Sequence, residues 1–180
     1  MRISGETLRV DVLDSSSLGL SLGPLRGLPD GKALSPPEAA ARTTSIEAAG
    51  ERFQVLPLRV GIPAADAVAV FADAGAARAR ARIAASRREG SRKGSSSPAV
   101  VTIRVASRGE LLISASAGGE LDCCAAAAAA LAASAAVGYA DSEAMVRLGS
   151  GALWVEWAAA GSLYVAARPE YVYRGEFHLG

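Results

Sequence analysis

An alanine run near residue 130 constrains the fold of this chain more than any other feature. Residues 123–137 read CCAAAAAALAASAAV, with ten alanines, one leucine and no charged side chain. Alanine has the highest helix propensity, and Gly138 stands where a helix C-cap is expected. Because small side chains lie on every face of such a helix, we expect tightly packed structure all around it rather than solvent along one side.

Segments with the apolar–polar alternation of half-buried strands lie on both sides of this run. Glycine-containing turns separate several of them. The sequence therefore predicts an α+β fold in which a mixed or antiparallel β-sheet is wrapped around a central Ala-rich helix. The predicted strands cover residues 6–13, 52–60, 65–72, 100–106 and 110–116 before the run, and 144–148, 153–157, 163–167 and 171–177 after it.

The whole chain, residues 1–180, is predicted to form a single domain or a single lobe, which is ample length for a hydrophobic core. Residues 14–37 are rich in Ser, Gly and Pro, and residues 90–97 read GSRKGSSS, so both segments are predicted to be loops. Between the strands a second helix is predicted over residues 74–89.

The charge balance excludes several kinds of partner. The formal net charge is +1, with 19 basic and 18 acidic residues. A nucleic-acid or acidic-membrane binder needs a larger basic excess. The basic stretch at residues 78–93 has no interleaved aromatic residue, and is more typical of a solvated helix and loop than of a binding site for nucleic acid. We therefore expect no nucleic-acid partner and no membrane partner.

The sequence contains few residues suited to metal binding or to hydrolase catalysis, and this narrows the range of possible functions further. His178 is the only histidine and lies near the end of the chain, which argues against Ser–His–Asp and Cys–His catalysis. Cys123 and Cys124 have no partner at zinc-ligand spacing and, being adjacent, rarely form a disulfide with each other. Residues 1–4 read MRIS and lead into polar residues and a predicted strand, so we expect no signal peptide. We expect a reduced cytoplasmic protein with no metal and no cofactor.

Cys124 is the candidate reactive group, because it stands at the start of the predicted helix. A thiol there lies at the positive end of the helix dipole and near unpaired backbone N–H groups, both of which favour the thiolate. The same N–H groups can hold a carboxylate or carbonyl oxygen. In the alternative interpretation, Cys123 and Cys124 are simply small buried apolar residues. Asp122 is predicted to be the N-cap.

Four segments carry a family resemblance, although each motif alone is weak. Residues 119–128 read GELDCCAAAA, residues 148–157 read LGSGALWVEW, residues 169–176 read PEYVYRGE, and residues 61–71 begin with GIP and end with AVAVF. In the same order these resemble Gly-Glu-Thr-x-Ala-Cys-Gly-Thr-Gly-Ala, Leu-Pro-Gly-Gly-x-Leu-x-Ile-x-Trp, the closing Ala-Glu-x-Val-Phe-x-Gly-Glu strand and Gly-Asn-Pro-His-x-Val-x-Phe of diaminopimelate epimerases, which are cofactor-independent racemases.

The resemblance implies the fold of the C-terminal lobe of a diaminopimelate epimerase-like protein, with Cys124 as the catalytic acid or base. Ala125, Ala126 and Ala127 replace the family's Gly-Thr-Gly, which keeps backbone donors and loses a hydroxyl. The residues that the resemblance places against the substrate are Ile62, Glu120, Cys123, Ala125, Ala126 and Ala127.

Several of the family's polar residues are replaced in this chain. The Asn and His that follow the first glycine are Ile62 and Ala64 here, the Glu-Arg pair falls on Ala115 and Ser116, and the Asn of the preceding strand falls near Val101. These polar groups mostly hold the charged ends of a free amino acid. Their replacement favours a less charged, peptide-like substrate, such as a cyclic dipeptide.

The resemblance also implies a partner. The family has two similar lobes, each contributing one cysteine, and inversion at an α-carbon needs a base on one face and an acid on the other. Since the resemblance covers one lobe, we expect a homologous subunit of the N-terminal type, in a heterodimer. A homodimer that uses Cys124 from each copy is the other arrangement. The alternative function is a non-catalytic lobe that scaffolds an active partner subunit.

Overall fold

The structure of the chain is a computed structural model. It describes residues 2–3, 6–7, 10–14, 17–48, 50–61, 65–71, 99–115, 121–149 and 151–167. Within these ranges the elements are β1 (Arg2–Ile3), β2 (Glu6–Thr7), β3 (Val10–Asp14), β4 (Ser17–Pro24), β5 (Arg26–Gly27), α1 (Pro36–Arg42), β6 (Thr44–Ala48), β7 (Glu51–Val60), β8 (Ala65–Phe71), β9 (Ala99–Ser107), β10 (Glu110–Ala115), α2 (Cys123–Ala136), β11 (Glu143–Leu148), β12 (Gly151–Trp157) and β13 (Ser162–Ala167).

Eleven of these strands form one mixed sheet. Its order is β3-β4-β13-β12-β11-β10-β9-β8-β7-β5, and β6 pairs with β7 beside β5. Neighbouring strands are antiparallel, except for the parallel pairs β8–β9 and β10–β11. The short strands β1 and β2 pair only with each other. The fold is therefore α+β, a large mixed sheet packed against two helices, as the sequence predicts at that level.

The two ends of the sheet meet at Leu25, which is fully buried. Leu25 is the single residue between β4 and β5; β4 pairs with β13, whereas β5 pairs with β7. The segment formed by β4 and β5 is therefore hydrogen-bonded to β13 through one strand and to β7 through the other. In the order of the sheet, β7 and β13 lie at opposite ends of the series from β7 to β13. The sheet has to curve until it closes on itself, which leaves an enclosed space along its concave face.

Helix α2 fills that space. It contacts every strand from β7 to β13, and also α1. Residues 125–134 are all buried, and Leu131 is the only large side chain among them. Alanine side chains let the surrounding strands approach the helix closely from all sides, so the apolar area of the sheet can be buried against a single helix. The prediction of a buried Ala-rich helix packed against a mixed sheet is confirmed.

The chain direction decides which end of α2 carries which groups. Helix α2 connects β10 to β11, and these two strands are parallel neighbours. The helix must therefore run back along them in the opposite direction. Its N-terminal end, with Cys123 and Cys124, lies at the carboxyl end of β10, and its C-terminal end lies at the start of β10 and β11.

Most of the predicted strands are confirmed to within two residues. They are residues 52–60, 65–72, 100–106, 110–116, 144–148, 153–157 and 163–167, observed as β7 to β13. The predicted strand at 6–13 corresponds to the separate strands β2 and β3. Gly138 has the positive φ of 79° expected of a C-cap. The strand predicted at 171–177, the helix at 74–89 and the loop at 90–97 lie outside the described residues.

The loop predicted at residues 14–37 is wrong over much of its length. Strand β4 occupies Ser17–Pro24, followed by β5, and α1 begins at Pro36. In β4, Leu18, Leu20 and Leu22 alternate with small residues, and this period of two outweighs the Ser and Gly content on which the loop prediction relied.

Helix α1 and strand β6 were not predicted. Helix α1 starts with a capping box, in which the Glu38 carboxylate accepts hydrogen bonds from the Ser35 backbone N–H and hydroxyl, each at 2.7 Å. The Ser-x-x-Glu spacing that encodes the box, with Pro36 at the first helical position, is visible in the sequence. Neither of the described helices has the length and apolar character needed to cross a bilayer.

Candidate functional site

The N-terminal end of α2 is organised by Asp122. Its side chain accepts a hydrogen bond from the Ala125 backbone N–H at 2.7 Å, and its carbonyl accepts one from the Ala126 N–H at 3.0 Å. Asp122 has extended φ and ψ angles of −73° and 169°. It is thus a capping residue, as predicted, and two of the N–H groups in the first turn are occupied within the protein itself.

Cys123 and Cys124 are the first two residues of the helix. Cys123 is exposed, and Cys124 is half-buried with its side chain against the core. Among the described residues, neither of their backbone N–H groups has a hydrogen-bond acceptor, as is usual at this position of a helix. This end of α2 therefore presents two thiols and two backbone donors, next to one carboxylate.

The three alanines that follow do not lie at the surface. Ala125, Ala126 and Ala127 are between 0% and 2% exposed, and they belong to the main core cluster. Their side chains pack against the surrounding sheet, and the predicted contact between them and a substrate stays a prediction. Of the other predicted substrate contacts, Cys123 is exposed, whereas Glu120 and Ile62 lie outside the described residues. Within the described residues, the exposed or half-buried members of the candidate site are Cys123 and Cys124.

The ionisation of Cys124 differs from the expectation. Burial raises the pKa of the Cys124 thiol from 9.0 to about 12, and the adjacent Cys123 and Asp122 add to the shift. The expectation of a stabilised thiolate took account of the helix dipole and of the unpaired backbone N–H groups, but not of burial. Loss of hydration disfavours the charged form. The first-turn donors that could have compensated for it are partly used by Asp122. Cys124 is consequently a neutral thiol near pH 7.

A neutral thiol can donate a proton but cannot remove one. For Cys124 to act as a base, a negative charge would have to form beside Asp122 in a partly dehydrated position. Delivery of a proton starts from the form that Cys124 holds near pH 7, and the thiolate arises only as the proton is transferred. The protonation state therefore fits the acid role of the predicted acid–base pair better than the base role.

The opposite end of α2 borders a cleft of about 600 Å³. The Phe71 and Tyr139 rings meet edge to face at its wall, with centroids 5.3 Å apart and planes at 89°. The Tyr139 hydroxyl donates to Gln54 Oε1 at 3.0 Å. The residues that line the cleft are Arg52, Gln54, Phe71, Ile103, Arg104, Val105, Gly138 and Tyr139.

Sequence reasoning missed this cleft because its walls come from four separate segments. One signal was nevertheless present in β7. Leu56, Leu58 and Val60 alternate along the strand toward the core, and the same alternation extended backwards reaches Arg52 and Gln54. Polar side chains at register positions that otherwise face a core indicate that the concave face opens to solvent there.

No group of three or more His, Cys, Asp or Glu side chains among the described residues is placed to hold a metal ion.

The chain matches no protein-family model, and no curated protein matches it.

Proposed function

We propose that this chain is one lobe of a cofactor-independent epimerase with a diaminopimelate epimerase-like fold, in which Cys124 delivers a proton to the α-carbon of a peptide-like substrate. The observation that carries the proposal is the placement of a half-buried thiol at the first turn of a helix that the sheet encloses. The similarity of residues 119–128, 148–157 and 169–176 to motifs of that family supports it.

In the proposed reaction, a proton is removed from one face of the α-carbon and another is delivered to the opposite face. A base on the partner lobe removes the α-hydrogen, and the electron pair of the broken C–H bond passes into the neighbouring carbonyl as an enolate. The Cys124 S–H bond then breaks as a new C–H bond forms on the opposite face, which leaves a thiolate on Cys124 and a protonated base on the partner. The backbone N–H groups of Cys123 and Cys124, which have no acceptor among the described residues, would donate to the enolate oxygen.

The charges near Cys124 favour an α-carbon flanked by amides. Asp122 places a carboxylate immediately before the two cysteines in the sequence. Ala125, Ala126 and Ala127, which follow the cysteines and replace the family's Gly-Thr-Gly, carry no positive charge. A free amino acid would bring its own carboxylate toward Asp122 and would be repelled. An amide-flanked centre, as in a cyclic dipeptide, brings no such charge.

An exposed apolar patch supports the need for a partner lobe. Val10, Val12 and Leu18 are 45%, 75% and 36% exposed on the β3–β4 hairpin. Strand β4 begins beside the carboxyl end of β13, which is the end of the sheet where α2 starts. A partner that covers this end would bury the patch and complete the surroundings of Cys124.

The rival proposal is a non-catalytic lobe that supports an active partner subunit. Two observations favour it: the raised pKa of Cys124, and the burial of Ala125 to Ala127 in place of a substrate-contacting turn. The two proposals differ in what they expect of one substitution, Cys124→Ala.

The test is isotope exchange by the complex that the tagged full-length chain forms in its native cells. Cyclic dipeptides would be incubated with the purified complex in deuterated water, and α-deuteration would be followed by mass spectrometry. We expect uptake with the wild-type chain and with the matched control Cys123→Ala. With Cys124→Ala we expect uptake to fall by about a hundredfold or more, the usual contribution of a positioned acid or base.

Each remaining outcome decides between the proposals. Unchanged uptake in Cys124→Ala would reject the acid role and support the scaffolding lobe. No uptake with any cyclic dipeptide, by a complex that contains a partner subunit, would reject the proposed substrate class. Uptake by the recombinant chain alone, as a monodisperse dimer, would replace the heterodimer with a homodimer.

A further inference from the structure

We propose that the cleft at the C-terminal end of α2 is a binding site for a small organic acid with an apolar, aryl-containing body. The site lies about 20 Å from Cys124, the length of a 14-residue helix at 1.5 Å per residue. It shares no residue with the proposed epimerase site, and so it stands or falls independently of that function.

The arginines provide the first argument. Most arginines whose side chains the structure describes already donate to a partner: Arg26 to the Gly31 carbonyl, Arg42 to Asp30, Arg59 to Asp66, Arg108 to Asp141, and Arg147 to Glu110. Within the described residues, Arg52 and Arg104 have no such acceptor. Arg52 lies on the same face of β7 as Leu56 and Leu58 and lines the cleft. The alternation along β9 places the Arg104 side chain on the face opposite to Ile103 and Val105, and so outside the cleft. A guanidinium group without an acceptor, on the cavity wall, suits a carboxylate ligand.

Gln54 adds further donors to the same wall. Because its side-chain oxygen already accepts from the Tyr139 hydroxyl, its amide N–H groups remain to face other acceptors. The side chains that supply polarity to the cleft, Arg52 and Gln54, thus offer hydrogen-bond donors. A ligand rich in acceptors, and bearing negative charge, is complementary to that set.

The remaining lining is apolar and aromatic. Ile103 and Val105 project from β9, and Phe71 meets Tyr139 edge to face. A ligand ring can pack against this wall in the offset or edge-on arrangements that aromatic groups favour. A volume of about 600 Å³ lies within the range of small-molecule sites, and a few polar groups in a largely apolar lining are typical of them.

The negative end of the helix dipole does not oppose an anion strongly here. The Ser134 carbonyl accepts from the Tyr139 and Ala140 backbone N–H groups, at 2.8 and 3.2 Å. The Gly138 carbonyl accepts from Arg108 at 3.0 Å. Carbonyl groups at this end of α2 are therefore hydrogen-bonded within the protein, and the Arg108 guanidinium lies beside them.

The test is titration of the purified full-length chain with sodium benzoate, phenylacetate and 3-phenylpropionate, followed by ligand-observed NMR and calorimetry. We expect at least one of these acids to bind saturably, and its uncharged amide to bind about tenfold more weakly, as for loss of a charge-assisted hydrogen bond. Inorganic phosphate, which has charge but no apolar body, should bind more weakly than the aryl acid.

Substitutions locate the binding. Arg52→Gln should raise the Kd about three- to tenfold, the range for an ion pair that stays partly solvated. The matched control is Arg104→Gln, an exposed arginine whose side chain lies on the opposite face of the sheet, which should leave the Kd unchanged. Circular dichroism would verify that each variant keeps its fold.

Three results would overturn the proposal. The first is a failure of all three acids to bind saturably. The second is a finding that phosphate or the amide binds as tightly as the aryl acid. Equal binding of phosphate would mean that the apolar body does not contribute, and equal binding of the amide would mean that the negative charge does not. The third is an unchanged Kd in Arg52→Gln, with Phe71→Leu as the additional check that the aromatic wall is in contact with the ligand.

Discussion

The two ends of the central helix differ in where their chemistry comes from. At the N-terminal end the reactive groups belong to the helix itself, the Cys123 and Cys124 thiols beside the Asp122 cap. At the C-terminal end the polar groups come from a surrounding strand, with Arg52 and Gln54 on β7. Among the described residues, the first end presents thiols beside a carboxylate, and the other presents a guanidinium group and an amide.

The comparison shows that burial, rather than the helix field, determines the state of the thiol. A helix N-terminus favours a negative charge, yet the pKa of Cys124 is raised because the side chain is partly dehydrated. At the other end Arg52 is exposed. The enclosed helix thus separates a partly dehydrated thiol from a guanidinium group at the surface.

The largest expected effect comes from Leu131, the one large side chain among the buried residues 125–134 of α2. Leu131 is fully buried. Leu131→Ala should lower the free energy of unfolding by about 2–5 kcal/mol, through lost burial and a residual cavity. Chemical denaturation would measure it. The matched control, Leu18→Ala on the exposed hairpin, should cost less than about 1 kcal/mol. Equal losses in the two variants would show that α2 is not the centre of the core.

The second effect compares the two thiols directly. Cys123 is exposed, whereas Cys124 is half-buried and its pKa is raised to about 12. Since the thiolate is the reactive form, iodoacetamide near pH 8 should modify Cys123 at least about tenfold faster than Cys124. Peptide mass spectrometry of timed samples would give both rates. Faster modification of Cys124 would contradict the effect ascribed to burial.

A third prediction separates the capping and the charge of Asp122. Asp122→Ala removes the acceptor for the Ala125 N–H and should reduce the stability of the fold by about 1 kcal/mol. Asp122→Asn keeps an acceptor and removes the charge, so most of the stability should remain. Both variants should lower the pKa of Cys124, because the Asp122 carboxylate is one of the groups that raise it. An unchanged Cys124 pKa in both would exclude that contribution.

The smallest effect is a gain in stability at the far end of α2. Ser134 is fully buried, and its hydroxyl has no hydrogen-bond partner within the described structure. Ser134→Ala should therefore stabilise the protein, by about 1 kcal/mol. Thr102→Val, at the other buried hydroxyl without a partner, is the matched variant and should shift the thermal midpoint in the same direction. Destabilisation by Ser134→Ala would indicate that the hydroxyl has a partner in solution.

What the sequence predicts correctly is mostly local. Helix α2, its Asp122 cap and its Gly138 C-cap all depend on residues within one stretch of chain, and each is present. The alternation of β7 to β13 is equally local. Strand β4 shows how composition can mislead, since serine and glycine obscured the spacing of Leu18, Leu20 and Leu22.

Features that depend on distant residues were not predictable in this way. The closure of the sheet at Leu25 depends on which strands β4 and β5 pair with. The cleft depends on a hydrogen bond between residues 85 positions apart, Tyr139 and Gln54. The sign of the Cys124 pKa shift depends on how closely the core surrounds the thiol, and a sequence motif does not contain that information.

The most direct test of the account is an NMR titration of the full-length chain labelled with ¹³C at the cysteine β-carbons. The spectra of Cys123→Ala and Cys124→Ala would assign the two signals. If burial holds Cys124 as a proton donor, its signal should keep the thiol position through pH 9.0, the ordinary pKa of a cysteine, and move only as the pH approaches about 12. The raised pKa also means that the contribution of the protonated Cys124 thiol to the stability of the fold is fully present below pH 9.0. That contribution is lost as the pH rises toward 12. Ionisation of Cys124 at or below pH 9.0 in the folded protein would contradict the account.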